Sequence, residues 1–150
     1  MLRPIGIFDS GIGGLTVARA TCDLLPNETI LYYGDTAHLP YGEKSPELIR
    51  RYSIRIAKHL VNSGCKAIVV ACNSASSNAL DEIISAVGDS IPVIDMVHPV
   101  VDALTSDNNI HRVGLIGTRA TISSGLYSIA FEKMSSGSVE LFSRPTPLLA

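Results

Sequence analysis

The chain has 150 residues, of which 46% are hydrophobic and 17% charged, and its 12 basic and 14 acidic side chains give a formal net charge of −2. A chain of this length and hydrophobicity buries a core, which excludes intrinsic disorder. The charge balance, without a basic stripe, argues against a nucleic-acid partner. No apolar run approaches the roughly 20 residues that a membrane span needs, so we expect no membrane partner.

Short apolar runs alternate along the chain with longer amphipathic segments. The runs are rich in β-branched residues and most are bounded by Gly, Pro, Asn or Asp, which is typical of strands. They predict strands over Ile5–Phe8, Thr29–Tyr33, Ala67–Ala71, Pro92–Ile94, Val113–Ile116 and Val139–Phe142. The longer segments predict helices over Leu15–Leu25, Pro46–Asn62, Ala75–Val87, Val100–Thr105 and Ile122–Met134.

The spacing of apolar residues indicates how these elements pack. In the second helix, one buried face is predicted for residues recurring at steps of three and four, namely Leu48, Ile49, Tyr52, Ile56, His59 and Leu60. The third strand is continuously apolar, as parallel strands covered on both faces are. The strand–helix alternation therefore predicts an α/β fold, a doubly wound and mainly parallel sheet with helices on both faces.

Small polar residues fill the turns that follow the predicted strands. Ligands of open parallel sheets bind outside the carboxyl ends of the strands, so these turns are the place to look for a site. The first turn is rich in glycine and suits an anion at a helix N-terminus. A dinucleotide fingerprint would need a third glycine where Thr16 stands, and a carboxylate fits the same helix end equally well.

Cys72 ends an apolar strand and opens a helix. A helix N-terminus stabilises a thiolate, which predicts a thiol pKa below the usual ~8.5. The alternative is a buried cysteine acting as a small hydrophobic residue. We interpret Cys22 as a structural residue of the first helix. Cys65 lies at the far end of the third strand, over ~20 Å from Cys72, which excludes a shared substrate or a disulfide.

Acidic and imidazole side chains in the strand-end turns leave several interpretations open. Asp9 either caps the following helix or assists a neighbouring thiolate. His38 and His98 lie in turns from which an imidazole could reach a ligand, whereas His59 is expected to pack on its helix or to face solvent. No histidine spacing matches a metal site, so no metal is expected, and three unpaired cysteines suggest reduced thiols in the cytoplasm.

Five segments together resemble the aspartate/glutamate racemase family, in particular its glutamate racemases. They keep the family's order and spacing over nearly the whole chain: Ile7–Leu15, Tyr33–Asp35, Pro40–Gly42, Ala71–Ala75 and Ile116–Thr118. The resemblance implies two α/β domains that face each other across a cleft. We accordingly assign residues 1–97 to a first domain, which the family completes with the last part of its chain, and residues 98–150 to the start of a second.

The resemblance implies racemisation of L- and D-glutamate without a cofactor. One cysteine removes the α-proton from one face, a second cysteine returns a proton to the other, and the D-glutamate supplies peptidoglycan synthesis in the cytoplasm. Matching motifs give Cys72 and Asp9 catalytic roles. The substrate-binding residues implied are Ser10, Tyr41, Gly42, Asn73, Ser74, Thr118 and Thr121. Glutamate is the one small-molecule partner implied, and homodimerisation stays open.

The chain departs from the family pattern in two ways. Ser74 stands where the family commonly has Thr, which keeps the hydroxyl and removes a methyl group. The family's second cysteine, in a Cys-Thr-His segment further along, has no counterpart here. We therefore expect a fragment of a longer enzyme, inactive by itself, as the apolar end at Pro145–Ala150 also suggests.

Three other functions compete with glutamate racemisation. The first is a racemase or isomerase for aspartate or a related acid. The second is a non-catalytic module that binds an amino acid. The third is a cysteine hydrolase with Cys72 as nucleophile and His98 or His38 as base.

Overall fold

The computed structural model describes residues 3–146 of the chain. The predicted apolar end, Pro145–Ala150, lies mostly outside these residues. The strands are β1 (Ile5–Asp9), β2 (Ile30–Gly34), β3 (Ala67–Val70), β4 (Val93–Ile94), β5 (Arg112–Gly117) and β6 (Glu140–Pro145). The helices are α1 (Leu15–Leu24), α2 (Pro46–Asn62), α3 (Asn73–Val87), α4 (His98–Thr105), α5 (Arg119–Ser123) and α6 (Leu126–Ser135), with a 3₁₀ turn at Tyr41–Glu43.

The strands form two sheets in which every pair is parallel. The larger sheet has the order β2-β1-β3-β4, and β5 pairs with β6 in the smaller one. The predicted α/β fold with a mainly parallel sheet is confirmed. The change of sheet lies between β4 and β5, near the predicted domain boundary after residue 97, and the division into domains stays a prediction.

Helices cover the larger sheet on both faces. On one face, α2 and α3 enclose a core around Phe8, Ile56 and Ile68. On the other face, α1 packs through Ala18 onto Ile7 and neighbouring residues. A separate core, which includes Val101 and Phe131, lies between the smaller sheet and helices α4 and α6.

The buried face predicted for α2 is wrong in part, and Cys22 on α1 is more exposed than a structural role suggests. On α2, Ile49, Ile56 and Leu60 are buried as expected, but Leu48 is exposed because the buried stripe is narrower than the apolar pattern. His59 is also exposed, so it belongs to the solvent-facing alternative and not to the predicted buried face. On α1, Cys22 is exposed, although a structural cysteine inside the helix was expected. Ala18 is the buried residue of this helix, and Cys22 follows one turn later on the same face, in the last turn of α1.

The single helix predicted over Ile122–Met134 is also wrong, because the segment folds as α5 and α6. The break falls at Gly125, which has a φ of 70° in the left-handed region that favours glycine. The spacing of apolar residues continues across Gly125, so the sequence pattern did not predict the break.

Helix α4 begins earlier than predicted, at His98 instead of Val100. The buried Asp95 carboxylate accepts hydrogen bonds from the Val97 and His98 N–H groups at 2.6 and 3.0 Å and so stabilises this earlier start.

Among residues 3–146, no helix combines the length and the apolar character needed to cross a membrane.

We expect Gly14→Ala to destabilise the fold by about 1–3 kcal/mol, the usual cost of overpacking. A Cβ at Gly14 would lie 2.7 Å from Asp9 Cβ and 2.9 Å from Ala71 Cβ, and both belong to buried strand ends. Gly13→Ala is the matched control, because its Cβ would have one neighbour at 3.6 Å, an ordinary contact. Urea unfolding of both variants checks this, and equal free energies of unfolding would contradict it.

Candidate active site

The carboxylate of Asp9 organises the turn between β1 and α1. Its Oδ2 accepts hydrogen bonds from the N–H groups of Gly11 and Gly14 at 3.2 and 3.0 Å. Asp9 is only 7% exposed, so burial strengthens these charge-assisted bonds. The side chain therefore holds the turn and does not cap α1, whose N-terminus has no side-chain cap, so the helix-capping interpretation of Asp9 is wrong.

Tyr32 holds the same turn from the neighbouring strand β2. Its hydroxyl donates to the Gly11 carbonyl at 3.1 Å. Burial and the negative charges available at Asp9 and Cys72 raise the pKa of Tyr32 to about 12. The phenol consequently stays a neutral donor at physiological pH and keeps the turn closed against the sheet.

Cys72 lies between β3 and α3, with its side chain 6% exposed. Its Sγ lies 3.6 Å from the hydroxyl oxygen of Ser10, which brings the turns after β1 and β3 into contact. Burial, followed by the Asp9 charge, raises the pKa of the Cys72 thiol. The backbone N–H of Ala75 at the start of α3 and the polar groups of Ser10 act in the opposite direction and are outweighed.

The lowered thiol pKa predicted from the helix N-terminus is therefore wrong. A helix end stabilises a thiolate through its N–H groups, but Cys72 is desolvated and has a carboxylate nearby. Both effects disfavour the anion, so the resting side chain is a protonated thiol.

A hydrogen-bonded network fixes the loop that follows β2. The Tyr41 hydroxyl donates to Asp35 Oδ2 at 2.6 Å, and His38 Nδ1 lies 2.7 Å from Asp35 Oδ1. The His38 ring stacks on Tyr52 with centroids 4.1 Å apart. Burial and the bond to Asp35 raise the pKa of Tyr41, which remains a phenol. The network places Tyr41 and Gly42 beside the Cys72 turn.

Three hydroxyl groups close the opposite side of the site. Ser74 Oγ lies 2.9 Å from Thr118 Oγ1 and 3.4 Å from Thr121 Oγ1. Thr118 also caps α5, because its hydroxyl accepts from the Thr121 N–H at 3.2 Å. The cluster joins α3, which packs on the larger sheet, to the turn that follows β5 of the smaller one.

These three regions enclose a cavity of about 390 Å³. That volume falls within the roughly 300–1,000 Å³ of small-molecule sites. Eight of the nine predicted site residues line it: Cys72, Ser10, Tyr41, Gly42, Asn73, Ser74, Thr118 and Thr121. Asp9 does not line the cavity and lies behind Ser10 in the same turn. The roles assigned to these residues stay predictions.

Sequence reasoning missed several residues of the cavity wall. Tyr127 comes from α6, and Leu115, Ile116 and Thr146 come from β5 and the residue after β6. Tyr127 lay inside the helix predicted over Ile122–Met134, where its apolar ring fitted the core pattern. No sequence signal pointed to its hydroxyl, because the contact depends on how α6 packs against α3.

The histidines considered as partners of Cys72 lie elsewhere. His98 lines a separate cavity of about 670 Å³ and pairs with Asp95 through Nδ1 at 2.9 Å. His38 is held by Asp35 and Tyr52, outside the lining of the Cys72 cavity. Within residues 3–146, no three His, Cys, Asp or Glu side chains form a group that could hold a metal ion.

The geometry defines a class of protein: an α/β fold with a buried thiol at the strand ends, in a small pocket that both polar and apolar side chains line. The chain belongs to the family described as Asp/Glu/Hydantoin racemase, whose model matches residues 16–146. The resemblance found in the sequence motifs is thereby confirmed.

Individual relatives agree with this assignment. The chain is 52% identical over 129 residues to glutamate racemase of Beutenbergia cavernae, covering 85% of this chain and 44% of that protein. The structure of glutamate racemase from Francisella tularensis in complex with D-glutamate matches with a TM-score of 0.86 and 42% identity, over 97% of this chain and 53% of that one. A glutamate racemase isoform from Bacillus anthracis gives a TM-score of 0.91 and 36% identity, over 97% and 54%. The chain thus spans about half the length of these relatives.

Tyr41→Phe is expected to lower the free energy of unfolding by about 1–3 kcal/mol, because it removes a hydrogen bond to a buried carboxylate. Asp35 is 3% exposed, and among residues 3–146 its carboxylate would keep only the contact with His38. Tyr33→Phe is the control, since Tyr33 is half-buried and its hydroxyl has no bonding partner in the described part of the chain. Chemical denaturation measures both variants, and a Tyr41→Phe loss no larger than the control would contradict the expectation.

Asp9→Asn is expected to speed alkylation of Cys72 by iodoacetamide several-fold at pH 8. The Asp9 carboxylate raises the pKa of the Cys72 thiol. Replacing the carboxylate with a neutral amide therefore lowers that pKa and increases the fraction of thiolate, which is the form that reacts. The Asn carbonyl can still accept from Gly11 and Gly14. Mass spectrometry follows the rate, with exposed Cys22 as the internal reference and Asp23→Asn as the control variant. An unchanged Cys72 rate would show that Asp9 does not act on the thiol.

Proposed function

We propose that the chain is the Cys72-bearing half of a cofactor-independent glutamate racemase. The observation that carries this proposal is the Cys72 thiol in a cavity lined by small polar side chains, in a chain that belongs to the racemase family. The D-glutamate complex of the Francisella tularensis relative supports the choice of glutamate.

The cavity suits a substrate that carries carboxylates. Hydroxyl groups of Ser10, Ser74, Thr118 and Thr121 and the amide of Asn73 supply donors. No Lys or Arg lines the cavity within residues 3–146. In this proposal, these neutral donors and the N-terminus of α3 hold the carboxylates.

The proposed reaction moves one proton across the α-carbon. A thiolate on one face removes the α-proton and becomes a thiol, and the electron pair delocalises into the α-carboxylate. A thiol on the other face then donates its proton to the carbon and becomes a thiolate. Because its pKa is raised, Cys72 is in the proton-donating form at rest, and once deprotonated it is a stronger base than an ordinary thiolate.

The second thiol is the part of this scheme that the chain does not supply. Cys22 is exposed on α1 and Cys65 is buried at the start of β3, and neither lines the cavity. A second cysteine from outside these 150 residues completes the proposed site. The chain alone is then inactive as a racemase.

The wider role follows from the product. D-glutamate made in the cytoplasm would supply peptidoglycan synthesis and so cell shape, and homodimerisation of the complete enzyme stays a prediction. Aspartate is the runner-up substrate, because the matched family includes racemases of both acids. The hydrolase alternative is disfavoured, since neither His38 nor His98 lines the Cys72 cavity.

D- or L-glutamate is expected to protect Cys72 of this chain from iodoacetamide, because the ligand fills the cavity that the reagent must enter. At saturating glutamate the alkylation rate of Cys72 falls at least about tenfold, following site occupancy. Exposed Cys22 keeps its rate and serves as the internal control. L-aspartate tests the runner-up substrate, and L-lysine is the ligand control.

Equal Cys72 rates with glutamate and lysine would contradict the proposed substrate. Stronger protection by aspartate than by glutamate would favour the runner-up. Measurable racemisation of glutamate by the 150-residue chain alone, followed by circular dichroism, would contradict the two-thiol division of the site. Its abolition in Cys72→Ala would then show that Cys72 acts with a base from within this chain.

A further inference from the structure

Tyr127 belongs to the core beside the smaller sheet, yet its side chain contacts the candidate site. It lies on α6, which packs with α4 in the core beside the smaller sheet, and its side chain is 7% exposed. Its hydroxyl lies 2.8 Å from Oδ1 of Asn73, the residue after Cys72. Tyr127 is also one of the residues that line the cavity.

The bond fixes which end of the Asn73 amide faces the cavity. In the structure the phenol hydroxyl donates to Oδ1 of Asn73, so the Nδ2 amino group points away from Tyr127. The other acceptor near the hydroxyl, the Met96 carbonyl, lies 3.4 Å away and is the poorer partner. Asn73 is exposed at the cavity, and Nδ2 has no acceptor among residues 3–146.

Tyr127 is suited to act as a permanent donor. Burial and the nearby Asp95 charge raise its pKa, which keeps the hydroxyl protonated. Because Oδ1 of Asn73 accepts from the neutral phenol, its Nδ2 hydrogens remain as donors for a ligand in the cavity that Asn73 lines.

We propose that Tyr127 is a positioning residue that sets the Asn73 amide to donate to a carboxylate of the bound amino acid, next to Cys72. This inference rests on the proposed function and adds a residue from α6 to it. Because Tyr127 belongs to the core beside the smaller sheet, the Asn73 amide is correctly oriented only when that core packs against α3.

The test measures glutamate binding to the 150-residue chain by NMR, following the backbone amides of residues 72–75 and the side-chain amide of Asn73. Tyr127→Phe removes only the hydroxyl and is expected to raise the dissociation constant for D-glutamate about three- to tenfold, which corresponds to the net free energy of one hydrogen bond. Tyr33→Phe is the matched control, because Tyr33 lies outside the cavity lining. Thermal unfolding verifies that both variants fold.

Two further measurements separate positioning from a structural role. In an Asn73→Ala background, Tyr127→Phe is expected to have no added effect on the dissociation constant. In the free protein, Tyr127→Phe is expected to shift the Asn73 side-chain NH₂ resonances, whereas Tyr33→Phe leaves them in place.

The outcomes distinguish the inference from the proposed function. A wild-type chain that shows no shift with glutamate contradicts the proposed function. An unchanged affinity in Tyr127→Phe, or an affinity loss that persists in full without Asn73, overturns the role of Tyr127. Asn73 side-chain resonances that do not move in Tyr127→Phe overturn it whether or not glutamate binds.

Discussion

The parallel pairing of β1 with β3 is the constraint on which the site depends. Phe8 stands opposite Val70, and the Ala71 N–H donates to the Phe8 carbonyl at 2.8 Å. Both strands therefore end at the same level, and the turns that leave them touch through Ser10 and Cys72. A shift of register by one residue would exchange the faces of every side chain and separate these groups.

Burial at that junction decides the chemistry of the thiol. Helix N-termini are known to lower cysteine pKa values, yet here desolvation and the Asp9 carboxylate have the larger effect. The same carboxylate holds the turn through Gly11 and Gly14, so it serves the fold and the electrostatics of the site together. A buried acid that both closes a turn and keeps a neighbouring thiol protonated suits the proposed function, in which that thiol donates a proton.

The cavity lies between the strand-end turns of the larger sheet and elements that belong to the smaller one. Asn78 on α3 donates to the Ser74 and Ala120 carbonyls at 2.9 and 3.0 Å, and the Ser74–Thr118 contact lies beside it. Tyr127 adds a third link between the same regions. The polar groups of the lining thus come from residues that are distant in sequence. In the proposed function, substrate affinity therefore depends on how the core of the smaller sheet packs against α3.

The sequence by itself determined the fold class, the approximate place of most elements and the turns that hold the predicted site residues. Those features follow from local apolar spacing and from the rule that parallel strands present their carboxyl ends at one edge. Tertiary structure alone decided the break at Gly125, the exposure of Cys22, the raised pKa of Cys72 and the arrival of Tyr127 at Asn73. Each of these features depends on which groups, distant in sequence, surround a residue, and on the solvation and charge that they create there. The spacing of residues along the chain does not specify those three-dimensional neighbours.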